Sequence, residues 1–365
     1  MFYLINVPII PMENRYSKQW DSWFNTFITD NFTENSSFIH TFTAYGTLPK
    51  SEDVGSINFL DPFASGIYRS TQMAAILSEI QYQYDDGIKE FGIFFHDLWF
   101  PGIEQLKYLE HMLGISIKIF GIFHAGTWDP YDMTATTGMR SWAKIFEMGW
   151  LTIASAIFVA TEFHKNLILE HVKDPNKTKA LKDKIKVTFL PFHDDSLKFV
   201  KLSKKENLVA FPHRLVEEKG EEYFNSFVTL LAESFPYLKV IKTHEETSTK
   251  AEFYKLLSKC MYSISFAQQE TFGISMVESA LAGCIPIVPD SLSYPEIFMN
   301  IFRYSDNTLA KDKKVINLMM ELDDKIEDSL LQELLIINSK SIKTRCEAAI
   351  PTMFYHIVSS LTGKN

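Results

Sequence analysis

The chain has 365 residues, 46% of them hydrophobic, with a formal net charge of −9 and a pI near 5.6. That length suggests two domains, each with enough apolar content for a sizeable core. The overall acidity argues against a protein that coats polyanions. The three cysteines, Cys260, Cys284 and Cys346, are far apart and odd in number. They fit neither a disulfide framework nor a metal-ligand spacing and point to a reducing, cytoplasmic compartment. The N-terminal MFYLINVPIIPMENRY lacks the layout of a signal peptide. No apolar run approaches the ~18 residues of a membrane span, so no membrane association is expected.

In chain order, FYLINVPI, FGIFFHDL, IKIFGIFHA, AIFVATEF and KVTFLPF read as strands of the first half, and NLVAFPHR, LKVIKTHE, YSISFAQQE and CIPIVPD as strands of the second. Their near-continuous hydrophobicity predicts parallel strands covered on both faces. RSTQMAAILSEIQYQYDDG and YFNSFVTLLAESFP carry helical spacing between them. The pattern is that of an α/β protein with two doubly wound, Rossmann-like units in series. Residues 1–193 form the expected first domain and 205–340 the second, with the polar Asp194–Asn207 stretch as linker. The tail from Ser329 reads as helices. From Lys165 to Lys205, eleven lysines face five acids, so this stretch is locally basic. It is either a solvated surface or a contact for a polyanion.

Several polar motifs follow predicted strands, where ligands bind in such folds. Glu270 and Glu278 bracket ETFGISMVE at a strand-to-helix junction. An acidic side chain before the helix can accept from sugar hydroxyls, and the amides of Phe272, Gly273 and Ile274 lie at its positive end, suited to a diphosphate. The plainer reading is two glutamates on a solvated helix face. Arg214 and Lys219 in AFPHRLVEEKG are either a phosphate clamp or a surface pair with Glu217 or Glu218. GIFHAGTWDPYD sets His124, Trp128 and Asp129 at a strand end, and FFHDLWFPG does the same for His96 and Asp97. Arg15 and Tyr16 follow the first strand. Thr161 and Glu162 read as a helix cap. No D-x-D motif is present, so no metal site is expected.

ETFGISMVESALAGCIPIV resembles the sugar-donor signature of the retaining glycosyltransferases of family 4 and relatives, which have the GT-B fold. AFPHRLVEEKG is similar to the same family's phosphate-clamp segment. Its His-Arg pair resembles a narrower group, the tRNA-queuosine mannosyltransferases and the glycosyltransferases of tailed bacteriophages. The resemblance covers roughly the C-terminal half. It implies two facing Rossmann-like domains with a C-terminal helix, residues 341–365, crossing back to the first. It implies metal-independent transfer with retention from a nucleotide-diphosphate sugar, UDP-sugar favoured, and no cofactor or obligate protein partner. By the same resemblance, Arg214 and Lys219 hold the diphosphate, with the amide turn of Thr271 to Ile274 beside them. Glu270 contacts the sugar, Glu278 the ribose, His124 the transferred sugar, and Asp97 orients the acceptor hydroxyl. Arg15, Tyr16, Trp128 and Asp129 are candidates for the acceptor or sugar-donor loop. Relatives carry an acidic residue at the position of Glu296. Where the family has a glycine-rich loop after the first strand, this chain has Glu13, Asn14, Arg15 and Tyr16.

The phage-type resemblance and the lysine-rich stretch favour a hydroxylated or hydroxymethylated pyrimidine in DNA as acceptor, in the host cytoplasm if the chain is viral. A modified tRNA base, a glycan and a small metabolite stay open. A base in a duplex would have to flip out and stack on aromatics such as Trp99, Phe100, Trp128 or Tyr131. A phosphorylase or epimerase on the same scaffold also stays open, as does a non-catalytic binding module for nucleotide sugars or nucleic acid.

Overall fold

The apolar runs fold as parallel strands, and their order places the polar motifs. A computed structural model describes residues 2–12, 15–32, 38–48, 61–172, 174–306 and 311–363; Glu13 and Asn14 lie outside the described residues. In the first lobe β1 (Phe2–Val7), β2 (Ile39–Thr43), β3 (Glu90–Phe95), β4 (Ser116–Ile122), β5 (Ala156–Val159) and β6 (Ile185–Val187) form one sheet. Its order is β2-β1-β3-β4-β5-β6, with every pair parallel. In the second lobe β7 (Glu206–Phe211), β8 (Lys239–Lys242), β9 (Cys260–Ile264), β10 (Ile285–Pro289) and β11 (Arg303–Tyr304) run β11-β10-β9-β7-β8, again all parallel.

In both sheets the chain winds outward in two directions from its first strand. The reversal lies between β1 and β3 in one lobe and between β7 and β9 in the other. Crevices for ligands open beyond the carboxyl ends of strands at such switch points. Arg15 and Asp97 follow β1 and β3, while Arg214 and Glu270 follow β7 and β9.

Every residue of β5, β9 and β10 is buried, as expected of strands covered on both faces. Two strands escaped the sequence reading. In β2 only Ile39 is fully buried, and β11 has two residues at the sheet edge. An edge strand packs on fewer neighbours and needs no long apolar run.

The C-terminal helix Ala349–Thr362 returns to the first lobe. Its buried stripe of Ile350, Phe354, Ile357 and Leu361 contributes about 1.5–3 kcal/mol per side chain. Phe354 packs on Phe27 at 4.9 Å and on Phe94 at 5.7 Å between ring centroids. Gly92 in β3 makes room for it: an added Cβ there would lie 3.1 Å from the Leu361 methyls. The preceding helix Ser329–Glu347 packs on the second-lobe helix Ile274–Leu281 and runs unbroken past residue 340. We place the crossing at Ala348. One apolar cluster is continuous between the lobes, joining Trp20, Phe24 and Phe94 to Phe272, Met276 and Tyr294. All three cysteines are buried and free. Among the described residues, no helix is long and apolar enough to cross a membrane.

Candidate functional site

The second-lobe wall is built by two turns. Gly273 starts the helix Ile274–Leu281 with φ of +80°, a left-handed conformation that glycine adopts without a Cβ clash. An added Cβ would meet the Tyr294 ring at 2.9 Å. The first amides of this helix have no carbonyl one turn back, which leaves their N–H groups to an anion. Lys219 ends the turn after β7. Its buried Nζ donates to the Gln269 carbonyl at 2.7 Å, to Gln269 Oε1 at 3.1 Å and to Glu270 Oε2 at 3.1 Å. Arg214 pairs with Glu218 at 3.0 Å and keeps its side chain 41% exposed. His213, buried between them, bonds Ser265 Oγ at 2.8 Å and Ser275 Oγ at 3.3 Å. Burial holds its imidazole well below the usual range, helped by Lys219 and Arg214, so it stays neutral.

Glu278 lies one helical turn and a half deeper and is 1% exposed. Its Oε1 accepts from Lys250 Nζ at 2.6 Å and from the Tyr254 hydroxyl at 2.9 Å, while Oε2 has no partner among the described residues.

The first-lobe wall faces these turns. His124 is half-buried, and its Nε2–H donates to the His96 carbonyl at 2.7 Å, which leaves Nδ1 as an acceptor. Burial lowers its pKa, and Asp97 and the His96 carbonyl oppose that. Asp97 accepts from Arg69 at 3.1 Å and from the Trp99 amide at 3.0 Å. Burial lowers the Arg15 pKa and the like charge of Arg214 lowers it further, while Tyr16 and Asp97 oppose that. Burial raises the Asp129 pKa, and that carboxylate also feels Lys219 and Glu270. The walls touch directly: Thr271 Oγ1 donates to the His124 carbonyl at 2.8 Å, and Thr161 Oγ1 donates to the Thr271 carbonyl at 2.9 Å.

Two expectations need correction, and two further residues are placed by packing and capping. Trp128 is 1% exposed and sits in the first-lobe core, so its ring does not line the cleft. Phe100 is 3% exposed and belongs to the same core, which removes it as a stacking platform. The Phe272 ring is buried against Phe189, leaving only its amide for a ligand. Glu296 caps a helix of the opposite lobe, accepting from the Glu162 amide at 2.8 Å and the Phe163 amide at 2.6 Å. Thr161 is the N-cap of that helix, as its sequence suggests. Lys205, within the lysine-rich stretch, donates to the Leu257 and Ala282 carbonyls and is structural. Of the remaining aromatics, Trp99 is half-buried and Tyr131 exposed.

Sequence reasoning missed Arg69, Lys250, Tyr254 and Glu147. Arg69 lies 28 residues from its partner Asp97. Glu147, fully buried, accepts from the Thr127 amide, the Thr127 hydroxyl and Trp99 Nε1, and so braces the loop that carries Asp129. No local motif marks these residues, because each acts on a partner brought close only by folding.

No family model matches the chain. The catalytic domain of starch synthase IV from Arabidopsis thaliana, bound to ADP and acarbose, superposes with a TM-score of 0.63 at 10% identity, covering 99% of each chain. This is the GT-B fold. A second GT-B structure, a mutant of S. aureus TarM in complex with fondaparinux, alpha-GlcNAc-glycerol and UDP, gives a TM-score of 0.52 at 12% identity. That match covers 80% of this chain and 59% of TarM. In sequence, 68 residues, 19% of the chain, are 40% identical to the tRNA-queuosine alpha-mannosyltransferase of Drosophila melanogaster. The chain thus spans less than two thirds of TarM, and its matched stretch is 18% of the mannosyltransferase. The two walls described above are the facing surfaces of the GT-B lobes.

Proposed function

We propose that this chain is a metal-independent, retaining glycosyltransferase that moves a sugar from a nucleotide-diphosphate sugar to a hydroxyl acceptor. The observation that carries the reading is the meeting of a cationic, amide-rich turn with His124 through the Thr271 bond. As the C1–O bond breaks, its electron pair passes to the departing diphosphate oxygen. Arg214, Lys219 and the amides after Gly273 stabilise that charge electrostatically, the role a metal ion fills elsewhere. Glu270 and His124 hold sugar hydroxyls, and Glu278 holds the pentose. Asp97, steadied by Arg69, orients the acceptor hydroxyl. That oxygen attacks C1 on the face the diphosphate leaves, and its proton goes to the departing phosphate oxygen.

UDP-sugar is the favoured sugar donor, consistent with the UDP of TarM; the ADP of starch synthase IV makes an adenosine donor the comparison to run. For the acceptor we favour a hydroxylated or hydroxymethylated pyrimidine in phage-type DNA, in the cytoplasm, with Trp99 and Tyr131 as stacking surfaces. A modified tRNA base is the second reading, favoured by the local identity to the mannosyltransferase. Mass spectrometry of DNA and tRNA nucleosides from cells expressing the chain, beside its Arg214→Ala variant, tests both. A sugar-sized increment on one nucleoside, absent in the variant, identifies acceptor and sugar mass together. If no nucleoside gains mass, the nucleic-acid acceptor is discarded.

A further inference from the structure

We infer that Gln19, Tyr254 and Lys250 position Glu278 for the pentose of the sugar donor, Gln19 reaching across from the opposite lobe. The inference rests on the assignment of Glu278 to the pentose.

The relay starts in the first lobe. Gln19 lies on the helix Tyr16–Asn31, and its Nε2 donates to Asp194 Oδ2 at 2.7 Å and to the Tyr254 hydroxyl at 2.9 Å. Asp194 stands where the chain passes from one lobe to the other. Because Tyr254 accepts from Gln19, its single hydroxyl hydrogen is left for Glu278 Oε1, at 2.9 Å. Lys250 occupies the same face of its helix four residues earlier and reaches the same oxygen at 2.6 Å. A capping box from Thr249 and Glu252 fixes the start of this helix.

The two donors that reach Glu278, from Lys250 and Tyr254, converge on one carboxylate oxygen. Oε2 is buried and has no partner among the described residues. Glu147 shows the contrast within the same molecule: it is equally buried, and both its oxygens accept from protein donors. A carboxylate placed for structure alone would be expected to resemble Glu147. Glu278 is instead held by one oxygen with the other left to accept, the arrangement that a vicinal diol of a pentose needs. Gln19 belongs to the opposite lobe, so the Tyr254 hydroxyl is aimed at Oε1 by a contact that crosses between the lobes.

The test is titration calorimetry with UDP, ADP and GDP in parallel, followed by the 2′,3′-dideoxy counterpart of the tightest binder. The parent protein should prefer the ribonucleotide by roughly tenfold or more, the scale of a hydrogen bond to a charged group. Glu278→Ala should abolish that preference. Tyr254→Phe and Gln19→Ala should each cut it severalfold while leaving dideoxynucleotide affinity unchanged. If Glu278→Ala abolishes the preference but Tyr254→Phe or Gln19→Ala retains the parental ratio, the relay is overturned and the pentose assignment stands. If no diphosphate binds, if the parent has no preference, or if Glu278→Ala keeps one, the assignment falls and the relay with it. Should Tyr254→Phe fail to fold by circular dichroism, Gln19→Ala decides, because Gln19 is only half-buried.

Discussion

The hydroxyl of Thr271 donates to the backbone carbonyl of His124 across the cleft, at 2.8 Å. One residue opens the Gly273 turn of the second lobe, and the other follows the central strand β4 of the first. In the proposed function their bond brings the turn for the diphosphate and the histidine for the sugar into one register, and separating the two residues has to break it. Thr271→Val keeps the shape and removes the donor. We expect kcat/KM for the sugar donor to fall about fivefold, the scale of one lost neutral hydrogen bond. An unchanged kcat/KM would show that this contact does not set the register.

Arg214 makes its i,i+4 pair with Glu218 on the surface, where such pairs add little stability. In the proposed function its value lies in the charge it offers to the diphosphate. Arg214→Ala should lower kcat by roughly 10²–10³-fold while leaving the thermal midpoint nearly unchanged. Full turnover in the variant would remove Arg214 from the diphosphate site.

Glu296 accepts two amides at the start of the helix Glu162–Glu170 in the other lobe. Its carboxylate satisfies orphan N–H groups and complements the helix dipole. Glu296→Ala should cost about 1–2 kcal/mol in denaturant unfolding, the range of a lost helix cap. A loss below a few tenths would mean that water replaces the carboxylate with little penalty.

His96 and His164 are buried, and burial takes both imidazoles down to about 3. Both are therefore neutral in the native state, while the unfolded chain binds protons near the ordinary value of ~6.5. Between those values the unfolded state holds more protons, so stability falls as pH falls, by up to about 1.4 kcal/mol per pH unit for each histidine. Urea midpoints measured from pH 7 to pH 4 should drop steeply, and His96→Gln should flatten the slope. A profile in His96→Gln as steep as the parent's would show that His96 does not contribute to the loss.

In the proposed function Arg214, Lys219 and the amide turn supply positive charge where the diphosphate departs. EDTA should therefore leave turnover intact. Activity lost to EDTA and restored by Mg²⁺ would transfer that role to a cation.

Much of this protein is legible along the chain because parallel strands buried on both faces must be apolar without interruption. The runs now seen as β5, β9 and β10 therefore announce both their strand character and their central place. The helix start at Gly273 was legible for a related reason, since a left-handed turn favours a residue without a Cβ. Tertiary structure alone decided which polar groups meet. Arg69 reaches Asp97, Gln19 reaches Tyr254 and Glu296 caps a foreign helix because the strand order carries residues distant in sequence to the same rim. Trp128 was misplaced for the converse reason: a strand-end position fixes where a backbone stands, while the packing around it decides whether the ring turns to the cleft or the core. Burial and partner choice depend on every surrounding side chain at once, and no local spacing encodes them.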